Sequence, residues 1–131
     1  MEGVQLTDNL DYVLENSDFI SLNVPLTDST RNIIGQREIS LMKPGAFLIN
    51  TARGEVVDRD ALIDALLHKK IAGAAIDVFN GETPSKDNPL FKLDNVIVTP
   101  HAAAHTEEAV KRMSLHSAIG IHQVLSGVKP S

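Results

Sequence analysis

Apolar residues return at helical spacing in residues 8 to 16 (DNLDYVLEN), where Leu10, Val13 and Leu14 fall on one side. The segment that follows, DFISLNV at 18 to 24, is a short apolar run that reads as a buried strand stopped by Pro25. After the polar loop LTDSTRN the alternation repeats. A second helix is predicted near 36 to 42, ended by Lys43, Pro44 and Gly45, and AFLIN at 46 to 50 is a second strand. Asp58 is placed to cap the helix RDALIDALLHKK, whose Ala61, Leu62, Ala65 and Leu66 make an apolar stripe and whose His68, Lys69 and Lys70 would suit the negative end of the helix dipole. A third strand, AGAAIDV, covers 72 to 78, and a loop of some fifteen residues with Gly81, Pro84 and Pro89 leads to a fourth, NVIVT, at 95 to 99. Thr106 then opens a long helix that runs to about Leu125, with Ala109, Met113, Ala118, Ile121 and Leu125 on or near one face and Gly127 as its stop.

Strands that alternate with helices require crossover connections, and those favour a parallel sheet, so the fold class is α/β. A loop as long as the one before the fourth strand is more often functional than merely connecting. Residues 129 to 131, Lys129, Pro130 and Ser131, read as a linker or the stub of a continuing chain.

Composition narrows the picture. A chain of 131 residues with 43% hydrophobic content can build one core but not two complete domains. Its net charge of -5 is spread along the sequence with no basic stripe, which argues against nucleic acid and against an anionic membrane as partners. The absence of cysteine removes disulfides, thiolate metal sites and cysteine nucleophiles together. Glu2, Asp8, Asp11 and Glu15 make the first residues unlike a signal peptide, and no apolar run approaches membrane-spanning length, so a cytoplasmic location is expected. No metal site is expected either: His116 and His122 are six residues apart on one helix, HEXXH is absent, and His68 and His105 have ordinary surface readings.

Ligands of open parallel sheets bind at the carboxyl ends of the strands, so the residues just past each strand are the ones to inspect. They are Asn23 and Pro25; Thr51, Ala52, Arg53 and Gly54; Asp77 with Glu82; and Thr99, Pro100 and His101. An arginine fork can grip a carboxylate while polarising an adjacent carbonyl, and a histidine can exchange a proton near neutral pH. A nearby carboxylate would keep that imidazole charged and ready to donate. Taken singly, each has a plainer reading: Arg53 as a surface turn, Asp77 as a turn cap, Glu82 as a solvated charge, His101 as a satisfied structural histidine.

Taken as ordered strings, the segments are more specific. SDFISLNVPLTDSTRNIIG, LMKPGAFLINTARGEVVDRDALIDAL, IAGAAIDVFNGETP and DNVIVTPHAAAHTEEA resemble, in order and spacing, the D-isomer-specific 2-hydroxy-acid dehydrogenase family over nearly the whole chain. The resemblance implies a partial Rossmann-type parallel sheet of about four strands with flanking helices. It implies NAD as cofactor, with NADP left open, and a small 2-hydroxy or 2-keto acid as substrate. Arg53 would bind the substrate carboxylate, His101 would be the general acid or base, and Glu82 would support His101. Asp77 would hydrogen-bond the nicotinamide amide, while Asn23, Pro25, Thr51, Ala52, Arg53, His101, Ala103 and Ala104 would line the cofactor cleft. Two departures stand out: Ala103 and Ala104 where many members have glycine, and NGETP in place of the usual acidic turn after DVF.

A larger departure is the lack of any GxGxxG, the phosphate-cradling turn of dinucleotide sites. Residues 1–131 are therefore expected to form the second half of an NAD-binding domain, without the glycine-rich half or a substrate domain, and to be inactive alone. The strand at 18 to 24 would then present an unpaired edge and favour a homo-oligomer. The competing reading is a non-catalytic module that keeps the fold for oligomerisation or partner binding.

Overall fold

In a computed structural model describing residues 3–81, 84–102 and 104–129, the alternating pattern becomes a four-stranded parallel sheet in the order β1-β2-β3-β4. The strands are β1 (Phe19–Leu22), β2 (Phe47–Asn50), β3 (Gly73–Ile76) and β4 (Val96–Val98). Three helices belong with them: α1 (Leu10–Asn16), α2 (Gln36–Leu41) and α3 (Arg59–Leu67). The chain divides into two compact units, residues 1–100 and 101–131, and the sheet lies in the first.

Pairing is in strict register, so Leu22, Asn50, Ile76 and Val98 form one row across the sheet and Ile20 and Leu48 lie in the parallel row two residues earlier. This face buries Ile20, Leu22, Leu48, Ala74 and Ile76 against Leu14 of α1, Ile39 of α2 and Leu62, Ala65 and Leu66 of α3. The opposite face is more open. Phe19 and Phe47 stack there with ring centroids 5.5 Å apart, and Phe19 is 70% exposed at the β1 edge of the sheet.

Local chemistry explains most boundaries. Asn9 caps α1 by accepting from the Tyr12 N–H, and Asp58 caps α3 by accepting from Asp60 and Ala61. Arg37 of α2 pairs with Asp11 of α1 and with Glu38, which accepts from the Gly35 N–H as in a capping box. β1, β3 and β4 are one or two residues shorter at each end than the runs read from the sequence, and β2 is one residue shorter at its start.

Two expectations need correction. His68, Lys69 and Lys70 do not occupy the last turn of α3, which ends at Leu67. His68 is the C-cap and Lys69 is left-handed at φ 52°, so that Lys70 N–H reaches Ala65 O and Lys69 N–H reaches Leu66 O. That is a Schellman turn with lysine where glycine is usual, and it delivers Ile71 into the core. The loop after β3 is also less irregular than expected. A 3-10 turn at Pro89–Lys92, capped by the Asn88 side chain, plants Leu90 in the core.

The second unit holds α4 (Glu107–Leu125), opened by Thr106, whose hydroxyl accepts from the Ala109 N–H. Gly127, at φ 68°, closes it with a second Schellman pair, Gly127 N–H to Val124 O and Val128 N–H to Gln123 O. None of its residues is buried, so the expected stripe does not form a core: Met113, Ile121 and Leu125 are exposed. A periodic pattern identifies an apolar face but not what covers it. No helix among the described residues is long and apolar enough to cross a membrane.

Candidate active site

Register fixes what stands at the carboxyl edge. The residues immediately after the row Leu22, Asn50, Ile76 and Val98 are Asn23, Thr51, Asp77 and Thr99, four polar side chains following a row that is apolar but for Asn50. Asn23 donates through Nδ2 to Ser21 Oγ at 3.0 Å and is exposed, as are Pro25 and Thr51. Asp77 is only 4% exposed; its N–H bonds Asn50 O and its carboxylate accepts from the Thr99 hydroxyl. A carboxylate buried among hydrogen-bond donors is held in one orientation.

The turn that carries Arg53 is built from inside. Asn50 ends β2 on the core face and is 1% exposed. Its Oδ1 accepts from Ala52 N–H at 3.0 Å and its Nδ2 donates to Arg53 O at 2.9 Å, so one amide satisfies both polarities of the turn. Ala52 is buried, whereas Arg53 is exposed, extended at φ -145° and ψ 147°, and donates from Nη1 to Ala52 O at 2.6 Å.

Beyond Arg53 the chain enters a 3-10 turn, Gly54–Val56, pinned from two sides. Glu55 O accepts from Asn32 N–H at 2.8 Å, and a parallel bridge joins Ile34 to Val57. On the other side Gly54 lies flat on the Phe79–Asn80 peptide: a Cβ there would stand 2.2 Å from the Phe79 carbonyl carbon and 2.5 Å from Asn80 N. A cavity of about 240 Å3 adjoins this contact, lined in part by Asn50, Gly54, Phe79 and Asn80.

The structure thus brings Asn23, Thr51, Arg53 and Asp77 to one sheet edge. Glu82 and Ala103 lie outside the described residues. His101, three residues past β4, opens the second unit in a left-handed conformation at φ 57°, and Ala104 follows in the same unit. Sequence reasoning missed Asn50 and the Thr99 bond to Asp77. The signal for Asn50 was present: it is polar at a position that shares its face with Leu48, so it had to be buried and satisfied.

Residues 1–103 match the family model described as D-isomer specific 2-hydroxyacid dehydrogenase, NAD binding domain. The chain belongs to this family. Among its relatives, D-3-phosphoglycerate dehydrogenase of Methanocaldococcus jannaschii is 51% identical over 125 residues, 95% of this chain and 24% of that protein. Glyoxylate reductase of Thermofilum pendens is 47% identical over 128 residues, 98% of this chain and 38% of that protein. A solved structure, the NAD-complexed D-isomer specific 2-hydroxyacid dehydrogenase of Lactobacillus delbrueckii ssp. bulgaricus, superposes with a TM-score of 0.85 at 38% identity, covering 92% of this chain and 40% of that one. The α/β parallel fold expected from the sequence is therefore the family's fold. The chain spans between about a quarter and two fifths of the length of these relatives.

Proposed function

We propose that this chain forms the nicotinamide-side half of the NAD-binding domain of an enzyme that moves a hydride between a D-2-hydroxy acid and its 2-keto acid. The observation that carries the reading is the polar row Asn23, Thr51, Asp77 and Thr99 at the carboxyl edge, with Arg53 on the adjoining turn. These residues suit a nicotinamide ring and its carboxamide: Asp77 offers a fixed acceptor to the amide, while Pro25, Thr51 and Ala52 offer close backbone. NAD, when bound, supplies or accepts the hydride.

The chain's own residues do the rest. The Arg53 guanidinium holds the substrate carboxylate and draws electron density from the neighbouring carbonyl, favouring attack at the adjacent carbon. His101 supplies the proton to the carbonyl oxygen in reduction and removes it from the hydroxyl in oxidation. The resemblance assigns Glu82 to the support of His101, and Ala103 and Ala104 to the cofactor cleft. The sequence carries no glycine-rich phosphate turn, so residues 1–131 constitute an incomplete domain, inactive alone, in a protein that works in the cytoplasm on small acids. Edge strand β1 and the exposed Phe19 support a homo-oligomer.

The test is a graft. This chain replaces the matching 125 residues of the Methanocaldococcus D-3-phosphoglycerate dehydrogenase, and 3-phosphoglycerate-dependent reduction of NAD+ is followed. The isolated chain is expected to show no turnover and the graft to show it. Arg53→Ala and His101→Ala in the graft should each lower kcat/KM at least about a hundredfold. An active graft indifferent to both substitutions would refute the assignment.

A further inference from the structure

We propose that Asn50 is a positioning residue for Arg53, an inference that rests on the carboxylate-binding role given to Arg53 above. Three features of the molecule lead there. Asn50 is the innermost polar side chain of the sheet, 1% exposed, and both ends of its amide are spent on one turn, Oδ1 on Ala52 N–H and Nδ2 on Arg53 O. Its own carbonyl accepts from the Asp77 N–H at 3.0 Å, so a single residue links the backbone of the arginine turn to the backbone of the buried carboxylate. Gly54 then seats the far end of the turn on the Phe79–Asn80 peptide, so the turn is fixed at both ends.

The physical consequence is specific. Arg53 is itself exposed, and an exposed arginine spends rotamer entropy whenever it grips a ligand. Fixing its Cα removes the backbone share of that cost and aims the fork, which is preorganisation by a residue that never meets the substrate. Apolar replacement cannot do this, because the buried Ala52 N–H would then lack its partner and Arg53 O would keep only the Val56 N–H at 3.2 Å, so the turn would shift. Aspartate keeps the acceptor for Ala52 but offers Arg53 O a carboxylate oxygen in place of a donor, so it breaks one half of the clamp selectively.

Amide hydrogen exchange on the 131-residue chain is the first readout, with Asn50→Leu and Asn50→Asp compared against Ile39→Val, a core change on α2 remote from the turn. Exchange at Ala52 is expected to accelerate at least about tenfold in Asn50→Leu and much less in Asn50→Asp, while Ile39→Val leaves Ala52 relative to the core unchanged. In the graft, Asn50→Asp should raise KM for 3-phosphoglycerate about tenfold with a smaller fall in kcat, because the loss is in holding the carboxylate. A Lys at position 53 should mask that effect, since the Arg53→Lys graft has already lost the aimed fork and a further Asn50→Asp change would move KM little. Equal protection of Ala52 in all variants, or an Asn50→Asp graft with wild-type KM, overturns the proposal. Failure of the Arg53 role shows itself separately, as an Arg53→Ala graft of full activity with the Ala52 exchange effect intact.

Discussion

Alanine at position 54 tests how tightly the arginine turn is seated. Gly54 does not have a positive φ, so alanine meets no backbone penalty there, and the ordinary gain from a less flexible unfolded chain, about 0.4–1 kcal/mol, works in its favour. Against this stands the contact: the new Cβ would lie 2.2 Å from the Phe79 carbonyl carbon and 2.5 Å from Asn80 N and Phe79 O. Carbon atoms pack at about 3.5–4.0 Å, so one of the two loops must retreat by more than about 1 Å. All three obstacles are backbone atoms, which cannot rotate aside as a side chain would. Overpacking of this kind costs about 1–3 kcal/mol, and backbone obstruction places Gly54→Ala at the upper end, a net loss of about 2 kcal/mol or a Tm fall on the order of 6–10 °C. Gly45→Ala is the control, because nothing lies within 4 Å of its Cβ position and its φ is likewise not positive. Urea unfolding of both variants gives the difference directly, with Gly45→Ala neutral or slightly stabilised. A Gly54→Ala protein as stable as Gly45→Ala would refute the steric reasoning and with it the claim that the two loops are locked together.

Other expectations follow from the same geometry. Thr99→Val removes the hydroxyl that donates to the buried Asp77 carboxylate and should cost about 1.5–3 kcal/mol by urea unfolding; a loss below about 0.5 kcal/mol would show that the bond contributes nothing net. Asp58→Ala deletes the acceptor for two α3 amides and should cost about 1 kcal/mol, with Asp58→Asn recovering most of it. Hydrogen bonds from Arg37 hold the Asp11 and Glu38 carboxyls below their usual range, and Lys70 does the same for Asp64. Because these groups release protons more readily when folded, their stabilisation is complete above the unfolded carboxylate values near about 4 and drains away as pH falls through the folded ones. Arg37→Ala should therefore flatten the acid side of a stability-pH profile, and an unchanged acid slope would contradict the assignment. The exposed β1 edge and the Phe19–Phe47 pair predict self-association, which Phe19→Lys should weaken in light scattering; a wild-type monomer at the highest soluble concentration would rule it out.

Much of this protein was legible in its sequence because the information is local. Short apolar runs and period-3.6 patterns placed four strands and four helices, Asp58 and Thr106 announced their caps, and Gly127 announced a stop. The ordered strings around Arg53, Asp77 and His101 identified the family from residue order alone. Tertiary structure decided what depends on distance between segments. Lys69 stands where glycine is usual in a Schellman turn, so no composition rule ends α3 before His68; the turn is held by its two backbone bonds and leads directly to buried Ile71. Register, which the sequence does not state, placed Asn23, Thr51, Asp77 and Thr99 in one row. The bond from Asp77 N–H to Asn50 O and the contact of Gly54 with the Phe79–Asn80 peptide join segments more than twenty residues apart, and such contacts exist only once strands β2 and β3 lie side by side.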